Sequence, residues 1–153
     1  MLKDTLQADL KKAMLAGESE KVEVLRGLKS AILYAEVAAK KRDNGLSDDE
    51  ILQVFKSESK KRQESADMFI QGGNTEKASA ELREKSIIDG YLPQQLSDVE
   101  LTAVIATEIA KLGLEHITKP DMGKVIGAVK TAVGQQADGA RIAKLVQDRI
   151  TPL

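Results

Sequence analysis

Apolar residues recur three and four apart almost from end to end of this chain, and cap or stop residues cut the pattern into seven stretches. Such a period buries one face of a helix and no face of a strand, so it confines the chain to an all-α fold. Leu2, Leu6, Leu10, Ala13 and Met14 form the first stripe, which Gly17 ends. Ser19 is the expected cap of a longer second helix carrying Val22, Leu25, Leu28, Ile32, Ala35 and Ala39, which runs out towards Asn44-Gly45. Gly27 lies inside it at a cost of about 1 kcal/mol against Ala, so close packing on a neighbour is expected there. Ser47-Asp48-Asp49-Glu50 is a capping box opening a third helix through Ile51, Phe55, Arg62, Ala66 and Phe69. Asn74 caps a fourth through Ala78, Leu82 and Ile88, which must stop near Pro93.

A second capping box, Ser97-Asp98-Val99-Glu100, opens a helix through Leu101, Val104, Ile105, Ile109 and Leu112 before Gly113. Two more helices start at Pro120 and Asp138, the last showing Ile142, Leu145, Val146 and Ile150 on one face. The expected architecture is an N-terminal four-helix antiparallel bundle over residues 1–92 and a C-terminal three-helix module over 93–153, hinged at 90–96. Aromatic residues make up only 3%, which suits helices rich in Ala, Leu, Lys and Glu and disfavours a sheet.

Several kinds of chemistry are excluded or left without material. There is no cysteine, so disulfides, thiolate zinc sites and a thiol nucleophile are absent. No apolar run is long enough to span a bilayer, and residues 1–10 carry acids in place of a signal-peptide core, so a cytoplasmic location is expected. Neither a G-x-x-x-x-G-K-[ST] loop nor a G-x-G-x-x-G motif occurs. His116 is the single histidine and falls in an expected loop; the acids at 48–50 are explained by their capping box. No catalytic residue, metal site or cofactor is expected. The run Lys56, Lys60, Lys61, Arg62 reads as a solvated face with a Glu58–Arg62 pair.

The net charge is −1, but its distribution is uneven. Residues 97–118 hold one Lys against four acids, whereas residues 119–153 hold six basic against three acidic residues. Within that basic region, K-P-D-M-G-K-V-I-G-A-V-K-T-A-V-G-Q-Q-A-D-G (119–139) contains two helix starts about twenty residues apart. Pro120 suits a first helical turn and Asp121 the positive end of a helix dipole. Gly134 is a stop signal, Asp138 an N-cap and Gly139 the first helical position. Gly123 and Gly127, four apart, share one bare face where another backbone could come close, and Met122 is expected in the core. Two readings stand side by side. One is helix packing at the glycines; the other joins the two helix starts into an anion site, with Lys124, Lys130, Arg141 and Lys144 as sequence-independent phosphate contacts.

P-D-M-G-K-V-I-G-A-V followed by Q-A-D-G resembles the signature of the GatB/YqeY family, A-D-M-G-K-V-M-G-x-[IV] and then K-A-D-G. A second block, Tyr91-Leu92-Pro93-Gln94-Gln95-Leu96-Ser97, is similar to the family's Y-L-P-x-Q-L-S. The motif residues are Asp121, Met122, Gly123, Lys124, Val125, Gly127, Ala137, Asp138 and Gly139. The resemblance implies a stand-alone YqeY-like protein whose residues 93–153 look like the tail domain of the tRNA amidotransferase subunit GatB. That tail helps hold tRNA, while the chemistry occurs in other domains and subunits. A non-catalytic tRNA-binding accessory is implied, with Lys124, Lys130, Asp138, Gly139, Arg141 and Lys144 as nucleic-acid contacts. The alternatives are a protein–protein adaptor that binds no RNA, and a component of a glutamine-dependent carbon–nitrogen ligase complex. Where family members often carry Lys, this chain has Ala132, Gly134 and Gln136, which implies fewer phosphate contacts.

Overall fold

The computed structural model describes residues 1–150. Seven α-helices follow in order: α1 (Leu2–Ala16), α2 (Ser19–Ala38), α3 (Asp48–Gln71), α4 (Thr75–Asp89), α5 (Asp98–Lys111), α6 (Met122–Val133) and α7 (Gly139–Gln147). Among the described residues there is no strand, only an isolated parallel bridge between Ile117 and Ile150. The chain is thus all-α. Its contacts divide it into two compact units that part between Leu92 and Pro93.

Local signals set most helix ends. Ser47 Oγ accepts from the Glu50 amide at 3.2 Å while Glu50 Oε1 accepts from the Ser47 amide at 3.1 Å, the reciprocal box expected there. Asn74 Oδ1 accepts from the Lys77 amide at 3.0 Å, and Gly17 ends α1 at φ +72°. Two ends of α2 differ from expectation. Its first turn has no side-chain cap, because Ser19 is already the first helical residue. Its last turn closes at Ala38, where Lys40 takes φ +58° and the Lys41 amide reaches back to Glu36 O at 2.8 Å, well before Asn44-Gly45.

In the first unit α1 packs on α2, α3 lies along α4, and α2 touches both α3 and α4. Leu6, Leu10, Leu25, Leu28, Ile32, Ile51, Phe55 and Ile88 form the core. Leu82, expected inside, is 37% exposed. The α3–α4 seam is partly ionic at that level: Arg62 turns in towards Glu81 and Glu84, at 3.7 and 3.3 Å. Glu58 therefore pairs with Lys61 and not with Arg62.

The buried carboxylate of Glu36 sits where the α2 stripe Leu28, Ile32 continues one turn further, and it is 3% exposed. Its Oε2 accepts from Lys3 Nζ at 2.8 Å and from the Leu46 amide at 3.1 Å, tying the α2–α3 loop to α1. The Lys3 hydrogen bond, then the Leu46 amide, hold its carboxyl below the usual glutamate range against the opposing effect of burial. A depressed folded-state pKa contributes stability above the unfolded pKa that is lost as pH falls through the folded one. Acid unfolding of Glu36→Gln is therefore expected to show a shallower loss of stability below the usual glutamate range than the parent. Denaturant titrations at a series of acidic pH values measure this.

Gly27 does not pack against a neighbour. It is exposed, and a Cβ there would meet nothing within 4 Å, because its helix face is turned to solvent. Gly27→Ala is expected to stabilise the protein by about 0.5–1 kcal/mol through helix propensity. Gly45 is the opposite case, at φ +74° with a Cβ position 3.1 Å from Glu36 Oε2. Gly45→Ala is expected to destabilise by at least about 1 kcal/mol, and urea midpoints of the two variants give the comparison.

In the second unit α6 packs on both α5 and α7, and α5 also touches α7. The core is wholly aliphatic: Leu101, Ile105, Ile109, Ile117, Val125, Val129, Val133, Ala137, Ile142 and Val146. Ser97 Oγ accepts from the Glu100 amide at 3.1 Å, but the Glu100 carboxylate bonds the Ser97 hydroxyl instead of its amide. His116 is exposed.

Candidate nucleic-acid interface

The start of α6 is built by a short 3-10 turn, Lys119–Asp121, with Pro120 in it. Asp121 Oδ2 accepts from the Thr118 amide at 2.8 Å and from Thr118 Oγ1 at 3.0 Å. These two bonds, with the Lys124 ammonium as a lesser contribution, hold the Asp121 carboxyl below the usual aspartate range. The start of α7 is capped as expected: Asp138 Oδ1 accepts from the Arg141 amide at 2.8 Å. The amides of Gly139 and Ala140, at the first two positions, lack an intrahelical partner.

The two helix starts do not converge. Lys130, near the end of α6, lies over the start of α7: a Cβ on Gly139 would come 3.2 Å from Lys130 Nζ. Ile117, just before α6, is bridged to Ile150, just after α7. The helices are therefore antiparallel, and a twelve-residue α6 puts about 18 Å between its own start and that of α7. A single anion site made of both starts is thereby corrected to two positive ends at opposite ends of a hairpin.

What the fold brings together is a face. Val125, Val129 and Val133 bury one side of α6. Gly123, Lys124, Gly127, Lys130 and Thr131 are exposed on the other. A Cβ at Gly123 or Gly127 would meet nothing within 4 Å, so neither glycine admits a neighbouring helix of this unit, and the packing expectation fails. Met122 is half-buried on the core, and Val125 and Ala137 are in it. Lys124, Lys130 and Lys144 are exposed, and no ion pair among the described residues uses them.

Arg141 is engaged differently. One guanidinium nitrogen donates to Leu96 O at 2.8 Å and to Asp98 Oδ1 at 2.7 Å. The Leu96 amide donates to Gln136 O at 2.9 Å, and Gln95 Nε2 donates to Gln135 O at 2.9 Å. The segment before α5 is thus stitched to the turn between α6 and α7, which brings Gln95 and Leu96 of the Tyr91–Ser97 block beside the Q-A-D-G stretch at 136–139. Asp98 and Leu96 had given no sign of this partnership, which spans more than forty residues of chain. A carboxylate at the second position of a capping box was the one available signal.

These elements define a class: an all-α chain of two helical units whose second unit presents a glycine- and lysine-bearing helix face beside a capped helix start. The chain belongs to the family of Yqey-like proteins, whose model matches residues 3–150. A comparison with curated proteins finds no match.

Proposed function

We propose that this protein is a non-catalytic tRNA-binding accessory, in which residues 93–153 serve as a counterpart of the GatB tail domain. The observation that carries the reading is the outer face of α6. Lys124 and Lys130 stand exposed on it outside any ion pair among the described residues, and the two glycines between and beside them leave room for a sugar–phosphate chain to approach the helix closely. Lys130 brings a cation to the uncapped Gly139 and Ala140 amides, and Lys144 adds another on α7. Arg141 acts in this reading by fixing the α7 start against Asp98 and Leu96 rather than by contacting phosphate. No Phe, Tyr or Trp lies in residues 97–150, so recognition is by backbone and shape of a folded RNA more than by base stacking.

Filter-binding titrations against total tRNA at two salt concentrations test the reading. Three lysine contacts give a slope of log K against log salt of about −2 to −3. Absence of retention at low salt, or retention indifferent to salt, overturns it. Ammonia transfer to Glu-tRNA by the purified chain alone overturns the non-catalytic part.

A further inference from the structure

The chain has four Phe and Tyr rings, and three are occupied. Phe55 and Tyr91 meet edge to face at 5.6 Å, and Phe69 lies under Lys77 Nζ at 5.7 Å. Tyr34, on α2, is 80% exposed. Leu33 and Val37 beside it are 49% and 54% exposed, so the last turns of α2 are apolar on the outside as well as the inside. Tyr34 stands at the rim of a groove of about 460 Å³ between α2 and α3, floored by Ala31, Ala35 and Val54 and edged by Glu58 and Lys61.

We propose that this face is a two-fold interface between two copies of the chain. A two-fold interface must be complementary to itself, so one patch has to carry both the projection and its receptacle. Here the projecting ring and the apolar groove are adjacent on one surface. The charges obey the same condition. Glu58 and Lys61, 3.2 Å apart on α3, form a pair of both signs; two α3 helices crossing antiparallel about an axis between those positions place Glu58 of each copy against Lys61 of the other. A phosphate chain has no such fit, because the one cation on the groove is already matched by a carboxylate. An axis between Glu58 and Lys61 puts the charged pairs at the middle of the interface, and the two Tyr34 rings flank it as apolar anchors, each against the groove of the other copy.

Sedimentation equilibrium of the full chain, with Tyr34→Glu, Glu58→Lys, Lys61→Glu and the doubly reversed Glu58→Lys/Lys61→Glu variant, tests this. The parent is expected to dimerise in the micromolar range. Tyr34→Glu raises the dissociation constant at least about 30-fold while its thermal midpoint, read on the monomer, stays unchanged. Each single reversal weakens the dimer at least about fivefold, and the double reversal restores it. A parent that remains monomeric at about 0.5 mM leaves the face to another protein or to a nucleobase and overturns the proposal. So does a Tyr34→Glu variant as dimeric as the parent, or a double reversal no better than the single ones.

Discussion

Lys124→Glu combined with Lys130→Glu is expected to abolish tRNA retention at low salt and to leave the far-ultraviolet circular dichroism spectrum intact. The two side chains are six positions apart, about 9 Å along the helix, and both lie on the exposed side of α6. Neither is used in an ion pair or a core contact among the described residues, and the exchange removes only the minor attraction of Lys124 for Asp121. Its electrostatic effect is large. Residues 119–153 carry six basic and three acidic side chains, and two reversals turn this excess of positive charge into an excess of negative charge. If weak binding survives, its slope against log salt should be shallower by about 1.4–1.8, the share of two phosphate contacts. Lys→Arg at both positions keeps the charge and should bind like the parent. Parental affinity in the doubly reversed protein would remove the α6 face from any account of RNA binding.

Arg141 is the wrong residue for that experiment, although the basic region contains it. Its guanidinium holds Leu96 O and Asp98 Oδ1. Reversal there would put two carboxylates together and leave Leu96 O without its donor. Lost binding in Arg141→Glu would mix a lost phosphate contact with a loosened α5–α7 junction, and the two could be separated only by the salt slope. A positioning side chain leaves that slope unchanged; a phosphate contact reduces it by about one.

The difference between Arg141 and the lysines shows where sequence reasoning stops. Helix starts at Ser47, Asn74, Ser97 and Asp138 are decided within four residues, because the capping side chain bonds an amide three positions on. Those signals and the glycine stops are local, so seven helices and their two groupings were legible. Arg141 is decided by Asp98, and Glu36 by Lys3, partners 43 and 33 residues away. No local pattern carries such a pairing. Two other placements are carried by the local pattern, one against the packing expected at the glycines and one at a residue outside the expected stripe. Gly123 and Gly127 each precede a buried valine by two residues, about 200° around the helix, which puts them opposite the core. Glu36 follows Leu28 and Ile32 at steps of four, so its place in the buried stripe was visible, and a buried acid there called for a cation. The antiparallel course of α6 and α7 follows from the short Gly134–Ala137 turn, which cannot carry the chain back along α6 and so starts α7 beside the end of α6.

Phe55→Ala is the stability counterpart, and its effect should fall on the first unit. The ring is wholly buried. Its edge-to-face contact is Tyr91, whose hydroxyl donates to Asp9 Oδ2 at 2.5 Å. Burial first, and the Asp9 carboxylate second, push the Tyr91 phenol above its ordinary pKa, so the hydroxyl stays protonated and keeps donating. One side chain of α3 thereby orders the residues after α4 against α1. Removal of a buried phenylalanine costs about 3–5 kcal/mol in lost transfer energy and residual cavity. At about 4–8 °C per kcal/mol for a unit of this size, the thermal midpoint should fall by at least about 12 °C. Tyr91→Phe separates the two contributions: it keeps the ring contact and loses only the hydrogen bond, for about 1 kcal/mol. The two cores share no residue, so amide exchange in α5, α6 and α7 should be little changed in Phe55→Ala while exchange in α1, α3 and α4 accelerates. Acceleration spread evenly over all seven helices would instead mean that the two units unfold as one, and the separate cores would have to be energetically coupled.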